Sequence, residues 1–237
     1  MVSESELQEV FEKPAVKEVA CEVRFTPRLR VNPEIWRVQD RLADEYPQVG
    51  EEEAPQAEGR FLHTYIFSNP STQRLIKVSQ ENLVMVFNKY TTFEDFKAEV
   101  VVQLAKFSQE FEIGTYHRAG LRYVNHIELP AGAGMQQVRK YVNAPVDFAR
   151  FDPESIDQFM TEFRVRAGPH KLTVRSALIK VPTKAELLLY ILDLDCYTFG
   201  VKDPSSLPEL LDQFHERIQV RFLEHVTDEY KLIMRGI

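Results

Sequence analysis

The amino-acid sequence predicts an α+β protein built from two similar halves. Several runs alternate between apolar and polar residues, which is typical of strands, and two long stretches repeat apolar residues at helical spacing. Both halves have the order strand, helix, three strands, helix, which indicates an internal duplication. We expect repeats over 14–112 and 116–226 with terminal extensions at 1–13 and 227–237, or else a single domain over 1–237. Two such units join most simply into one curved antiparallel sheet with helices packed on one face.

The first half opens with a strand and a helix. Residues 16–26 alternate with a period of two, and Pro27 ends the run. Asn32 followed by Pro33 predicts a helix start, with Asn32 as N-cap, and Pro47 ends the helical pattern. The acidic run 51–59 lacks large apolar residues, so we interpret it as a solvated, mobile loop.

Three strands and a long helix complete the first half. The strands are predicted at 61–68, 75–79 and 83–90, with polar turns between them. Thr92 then caps a helix with acidic residues in its first turn. The apolar stripe of this helix consists of Phe93, Phe96, Val100, Leu104, Phe107 and Phe111.

The second half repeats this order. A long strand over 116–129 ends at Pro130, and a glycine-containing loop leads to a short helix over 135–142. Three strands follow at 159–166, 171–181 and 186–199, with turns at Gly168-Pro169 and Pro182. The last helix starts near Pro208, and its stripe consists of Leu207, Leu211, Phe214, Ile218, Phe222 and Val226.

Composition excludes several classes of protein. The net charge of −7 argues against a general nucleic-acid binder and against binding to an anionic membrane surface. No apolar run approaches the roughly 18 residues of a spanning helix, and the acidic N-terminus is unlike a secretory signal, so we expect a cytoplasmic protein. Cys21 and Cys196 lie in apolar runs and are expected to be buried free thiols. The six histidines form no HExxH pair, and no CxxC occurs, so we predict no metal and no cofactor.

Three short motifs carry a resemblance to a known group of proteins. They are Glu-Val-Arg-Phe at 22–25, Gly-Leu-Arg-Tyr-Val-Asn at 120–125 and Leu-Asp-Leu-Asp at 192–195. With these motifs the chain resembles a sporadically distributed family of uncharacterised bacterial proteins of about this length. The resemblance implies a bacterial cytoplasmic protein without assigned activity, and it supplies no catalytic residues. The patchy distribution of that family is typical of horizontally moved genes, in mobile or defence contexts.

Two aspartates near the end of the chain are candidates for ligand binding. Asp193 and Asp195 are two residues apart on a predicted strand, so both side chains point to one face. Paired carboxylates can hold a divalent cation for phosphoryl chemistry. The alternative interpretation is a polar strand end that meets solvent or arginines.

Two arginines occupy equivalent positions in the predicted repeats. Arg24 and Arg122 fall on the polar faces of the two first strands, where they could grip a phosphate or carboxylate together. The alternative is a salt-bridge network with Glu22, Glu128 and the two aspartates. His126, beside Arg122 on the same face, is a further candidate for an acid–base or ligand-binding role, although a lone strand histidine is more often structural.

Because no catalytic signature occurs, the sequence favours a non-enzymatic binding or interaction protein. We expect a protein partner, a second copy of the chain or a small anionic ligand. One alternative is a metal-dependent phosphodiester hydrolase that uses Asp193 and Asp195. Another is a structural subunit whose edge strands pair with another chain in a larger assembly.

Overall fold

The computed structural model of the chain describes residues 4–7, 9–55, 61–129, 134, 137–146, 158–180 and 188–237. These residues form an α+β fold with a nine-stranded open antiparallel sheet, which confirms the predicted α+β class and the predicted antiparallel sheet. The strands are β1 (Val16–Arg24), β2 (Gln48–Pro55), β3 (Phe61–Asn69), β4 (Arg74–Ser79), β5 (Asn82–Phe87), β6 (Tyr116–Glu128), β7 (Gln158–Ala167), β8 (His170–Lys180) and β9 (Leu188–Val201). The helices are α1 (Glu4–Leu7), α2 (Val31–Leu42), α3 (Phe93–Glu110), α4 (Val138–Tyr141), α5 (Leu207–His225) and α6 (Asp228–Met234).

The strands lie in the order β2-β3-β4-β5-β1-β6-β9-β8-β7. Hairpins with short turns join β3 to β4, β4 to β5 and β7 to β8, as the turn residues predicted. The predicted turn at Pro182 lies outside the described residues. Among the described residues, no helix has the length and apolarity needed to cross a membrane.

The acidic run after α2 is not a loop over its whole length, which corrects the prediction. Residues up to Pro55 form β2, which pairs with β3 over eight residues although all eight residues of β2 are exposed. The ladder is reinforced by an ion pair of 3.0 Å between Glu52 and Lys77, and His63 lies 3.3 Å from Glu51. Because an edge strand without a buried face shows no apolar alternation, composition alone pointed to a loop.

The predicted N-cap of α2 is also wrong. The helix begins at Val31, and Arg30 occupies the capping position without a side-chain bond to the backbone. A turn that starts at Arg28 leads directly into the helix, since the Val31 amide donates to the Arg28 carbonyl. Thr92 does cap α3 as predicted, because its hydroxyl accepts a hydrogen bond of 3.1 Å from the Asp95 amide.

The chain divides into two compact units that are both discontinuous in sequence. The first unit combines residues 1–17, 123–196 and 215–237, and the second combines 18–122 and 197–214. β6, β9 and α5 each contribute residues to both units, whereas β2 to β5 and α3 belong entirely to the second.

In the second unit α3 packs against β5. Its predicted stripe is buried, and the Phe96 ring meets the Phe87 ring of β5 edge-on at 4.9 Å. A polar cluster lies beside this contact. Glu99 of α3 accepts hydrogen bonds from the Tyr46 hydroxyl and, at 2.5 Å, from Arg74. The Glu99 carboxylate thus serves both the buried Tyr46 and the partly buried Arg74.

In the first unit the second half of α5 is joined to two strands by tyrosine–histidine hydrogen bonds. The Tyr123 hydroxyl lies 3.0 Å from His215 Nδ1, and the Tyr190 hydroxyl lies 3.2 Å from His225 Nε2. The predicted stripe is buried at Leu207, Leu211, Phe214, Ile218 and Val226. Phe222, however, is only half-buried, and its neighbour Leu223 takes the buried position.

The C-terminal extension is not without structure. Thr227 caps α6, since its hydroxyl accepts a hydrogen bond from the Tyr230 amide. The Lys231 ammonium binds Glu6 at 2.7 Å, which ties α6 to the N-terminal segment. Burial alone would lower the pKa of Lys231, but the hydrogen bonds to Glu6 and Asp228 outweigh it, so that the pKa is raised.

Candidate functional site

A row of charged side chains crosses β1 and β6 within the second unit. On both strands the alternate apolar residues are buried in the core, so the polar residues between them lie on the opposite face. We call this row the arginine face, and it consists of Glu18, Glu22, Arg24, Arg118 and Arg122. Three arginines against two glutamates give it a net charge of +1 in a chain with an overall charge of −7.

Two arginines converge on Glu22. Arg24 Nε lies 2.9 Å from one carboxylate oxygen, and Arg118 Nη1 lies 2.5 Å from the other. The two arginines differ sharply in exposure, because the Arg24 side chain is 57% exposed and that of Arg118 only 13%. One carboxylate thus compensates a buried guanidinium and also contacts an exposed one.

The buried arginine is fixed by two further features. Its guanidinium lies over the Tyr197 ring, 4.5 Å from the centroid, which is a cation–π contact. Gly120 leaves room for it, since a Cβ at Gly120 would lie 2.8 Å from Arg118 Nη1. The ring of Phe199 stands edge-on to the Tyr197 ring at 5.4 Å, and Phe199 is 57% exposed.

Arg122 lies at the other end of the arginine face. Its Nη1 atom is 3.8 Å from Glu18 Oε1, and the side chain is 45% exposed. An exposed pair at this distance contributes little to stability, at most about 1 kcal/mol. The ion pair between Arg122 and Glu18 is therefore a weak one.

The two aspartates belong to the first unit. Asp193 is buried, and one of its oxygens accepts a hydrogen bond of 3.2 Å from Arg175 Nη1. The same arginine donates through Nε to Glu162 at 2.7 Å, and this bond lowers the pKa of Glu162. Asp195 is half-buried on the same side of β9. The hydrolase alternative needs both aspartates for a cation, but Arg175 already binds Asp193.

His126 is half-buried on β6, and its backbone amide donates to the Ala15 carbonyl at 2.8 Å.

Among the described residues no group of three or more His, Cys, Asp or Glu side chains could hold a metal ion. Cys21 and Cys196 are buried thiols that form no disulfide, and burial raises the pKa of the Cys21 thiol to about 12. A thiol with this pKa is not a nucleophile near neutral pH.

The predicted site residues therefore fall into two groups. Arg24 and Arg122 belong to the second unit, and His126, Asp193 and Asp195 belong to the first. Several functional neighbours were missed by sequence reasoning, namely Glu18, Arg118, Glu162, Arg175, Tyr197 and Phe199. A signal existed for Arg118 and Glu18. Arg118 lies four residues before Arg122 on β6, and Glu18 lies four residues before Glu22 on β1, so each shares a strand face with a residue that the sequence analysis had named.

No family model matches the chain, and no curated protein matches it. The resemblance in the three short motifs therefore stays a prediction. The site has to be interpreted from its own geometry.

Proposed function

We propose that the protein is a non-enzymatic binding protein and that its arginine face takes a small phosphate- or carboxylate-bearing anion. The single observation that carries this proposal is the convergence of Arg24 and Arg118 on Glu22, with only Arg24 exposed. Glu22 can keep the buried charge of Arg118 compensated while Arg24 turns to a ligand. Its location in the cytoplasm is part of the same proposal.

The energetics allow Arg24 to exchange Glu22 for an anionic ligand. The ion pair between Arg24 and Glu22 is exposed to solvent, and such pairs contribute roughly 0–1 kcal/mol. A guanidinium can instead bind a phosphate or carboxylate through two parallel hydrogen bonds. Arg122, also half-exposed, adds a second positive charge on the same face. Long-range attraction of an anion is weak because the whole chain is acidic, so recognition depends on these short-range contacts.

A thermal-shift screen tests this proposal. Inorganic phosphate, citrate, nucleoside phosphates and, separately, divalent cations are added to the full chain, because a ligand that binds only the folded state raises the melting temperature. We expect an anion to raise it and Arg24→Gln to abolish the shift. Arg37→Gln is the matched control, since Arg37 is an arginine of similar exposure that pairs with Glu34 at 3.1 Å.

The outcome distinguishes the alternatives. A stabilising anion whose effect survives Arg24→Gln, or no stabilisation by any anion, contradicts the proposed site. Stabilisation by a divalent cation alone, lost in Asp195→Asn, would instead favour the hydrolase.

We further propose that the fold arose by internal duplication, with helices on one face of the strands in each half. The order of strands supports this proposal. Outward from the sheet centre, β1 is followed by β5, β4 and β3, and β6 is followed by β9, β8 and β7. In both halves the first strand therefore neighbours the last one. An experimental structure in which 14–112 and 116–226 fail to superpose would contradict a duplication.

A further inference from the structure

The edge strand β7 is long and regular. It pairs with β8 over ten consecutive residues without a shift in register, so it contains no bulge, and it contains no proline. Strand β7 is last in the strand order, and none of its residues is fully buried. Natural edge strands are commonly shortened, bent or interrupted to prevent pairing with another chain. This strand has none of those features.

The turn after β7 determines which backbone groups face outward. Gly168 has a φ of +63°, and Pro169 follows it, which is the pattern of a type II′ two-residue hairpin turn. In such a hairpin the flanking residues, Ala167 and His170, form a hydrogen-bonded pair. The odd-numbered residues of β7 therefore bond to β8. The even-numbered residues direct their N–H and C=O groups to the outer edge, and their side chains are exposed.

We propose that a second copy of this chain pairs with β7 antiparallel, about a twofold axis at Phe163. A twofold interface is isologous, so each contact occurs twice. With Phe163 opposite its own copy, Glu162 faces Arg164 of the second copy, and both residues have outward backbone groups. The exposed Arg164, which binds Glu162 of its own chain at 2.9 Å, can turn to this partner.

The charged residues of β7 favour an axis at Phe163 over an axis at either neighbouring residue. An axis at Arg164 would place two arginines opposite each other, and an axis at Glu162 would do the same with two glutamates. Like charges directly opposite on paired strands are destabilising. The axis at Phe163 gives two Glu–Arg pairs and no like-charged pair.

The apolar face of β7 supports the same partner. Phe159, Phe163 and Val165 point to one side and remain half-buried in the single chain. In the proposed register the two Phe163 side chains form a non-hydrogen-bonded pair, the arrangement in which opposite side chains come closest. The opposite edge of the sheet differs. The exposed β2 carries three consecutive glutamates, which oppose self-pairing.

Charge reversal tests the interface. Analytical ultracentrifugation of the full chain should show a dimer at about 100 μM, well above the Kd of a stable interface. Arg164→Glu and Glu162→Arg should each weaken dimerisation by at least about tenfold, because each creates two like-charged pairs. Mixing the two variants should restore a heterodimer, in which one pair is native and the other is reversed. Lys202→Glu, an exposed charge reversal away from β7, should leave the dimer intact.

A disulfide tests the position of the axis. Phe163→Cys should cross-link two copies under mild oxidation, whereas Thr161→Cys on the same face should not, because its position faces Val165 of the second copy. The native thiols Cys21 and Cys196 are buried and do not compete. A monomeric wild-type chain, no rescue on mixing, or equal cross-linking by both cysteine variants would overturn the proposal. None of these results depends on the ligand proposed for the arginine face.

Discussion

Tyr190 of β9 and His225 at the end of α5 share a hydrogen bond of 3.2 Å inside the first unit. Burial, with a smaller contribution from Arg221, lowers the pKa of His225 to about 4, and burial raises that of Tyr190 to about 12. Both side chains are therefore neutral at neutral pH. Burial of this pair therefore favours the uncharged imidazole.

Stability should consequently fall in mild acid. The unfolded chain protonates His225 below about pH 6.5, whereas the folded chain does so only near pH 4, so the stabilisation is complete above pH 6.5 and is lost between pH 6.5 and 4. The total loss from this residue is about 3 kcal/mol. Urea unfolding measured at several pH values in this range should show that the free energy of unfolding of the wild type falls with falling pH. In His225→Gln it should fall less steeply. An unchanged pH dependence of the unfolding free energy in His225→Gln would refute the assignment.

Gly120 should be required for full stability because the Arg118 guanidinium lies over it. Gly120→Ala places a Cβ 2.8 Å from the guanidinium and displaces it from Glu22 and Tyr197. We expect a loss of about 1–2 kcal/mol in the wild type and little loss in an Arg118→Ala background, since residues in direct contact couple. Thermal unfolding of the four chains of this cycle measures the coupling. Equal losses in both backgrounds would mean that the cost of the methyl group lies elsewhere.

A buried hydroxyl pair connects the end of α3 to the start of β6. Ser108 Oγ and the Tyr116 hydroxyl are 2.8 Å apart and are both buried. Tyr116→Phe leaves the Ser108 hydroxyl without this partner and should cost about 1–3 kcal/mol of unfolding free energy. Adding Ser108→Ala should recover part of that loss. If the double variant is as unstable as Tyr116→Phe, the unpaired hydroxyl is not the cause.

The two apolar stripes should respond differently to truncation. Phe107 of α3 is fully buried, and Phe107→Ala should cost about 3–5 kcal/mol. Phe222 of α5 is half-buried, so Phe222→Ala should cost clearly less than that. Chemical denaturation of both variants makes the comparison. Similar losses would show that Phe222 is covered as fully as Phe107.

The repeating patterns were accessible from the sequence because they depend on local geometry. Strand parity alone puts Arg24 and Arg122 on the polar faces of β1 and β6, and the helical spacing of Phe96 to Phe107 predicts the buried face of α3. By contrast, β2 was missed because its stability comes from backbone pairing with β3 and from cross-strand charges, which leave no apolar pattern.

The pairing of charges was not accessible, because it depends on contacts distant in sequence. Arg118 and Glu22 are 96 positions apart, and Arg175 and Asp193 are 18 apart on strands whose register no local pattern reveals. The shift from Phe222 to Leu223 is a finer example. Both residues are apolar and adjacent, so the period of the helix alone could not choose between them.

The division of α5 between the units has a consequence for protein synthesis. Residues up to Phe214 belong to the second unit and those from His215 to the first, so neither unit is a contiguous stretch of chain. During translation, the second unit lacks its last segment until Phe214 has left the ribosome, although most of its residues emerged much earlier. Residues 18–122 of this unit, which include β2 to β5 and α3, are therefore made well before the residues 197–214 that complete it. A pause or a chaperone at that stage would protect the nascent chain from aggregation.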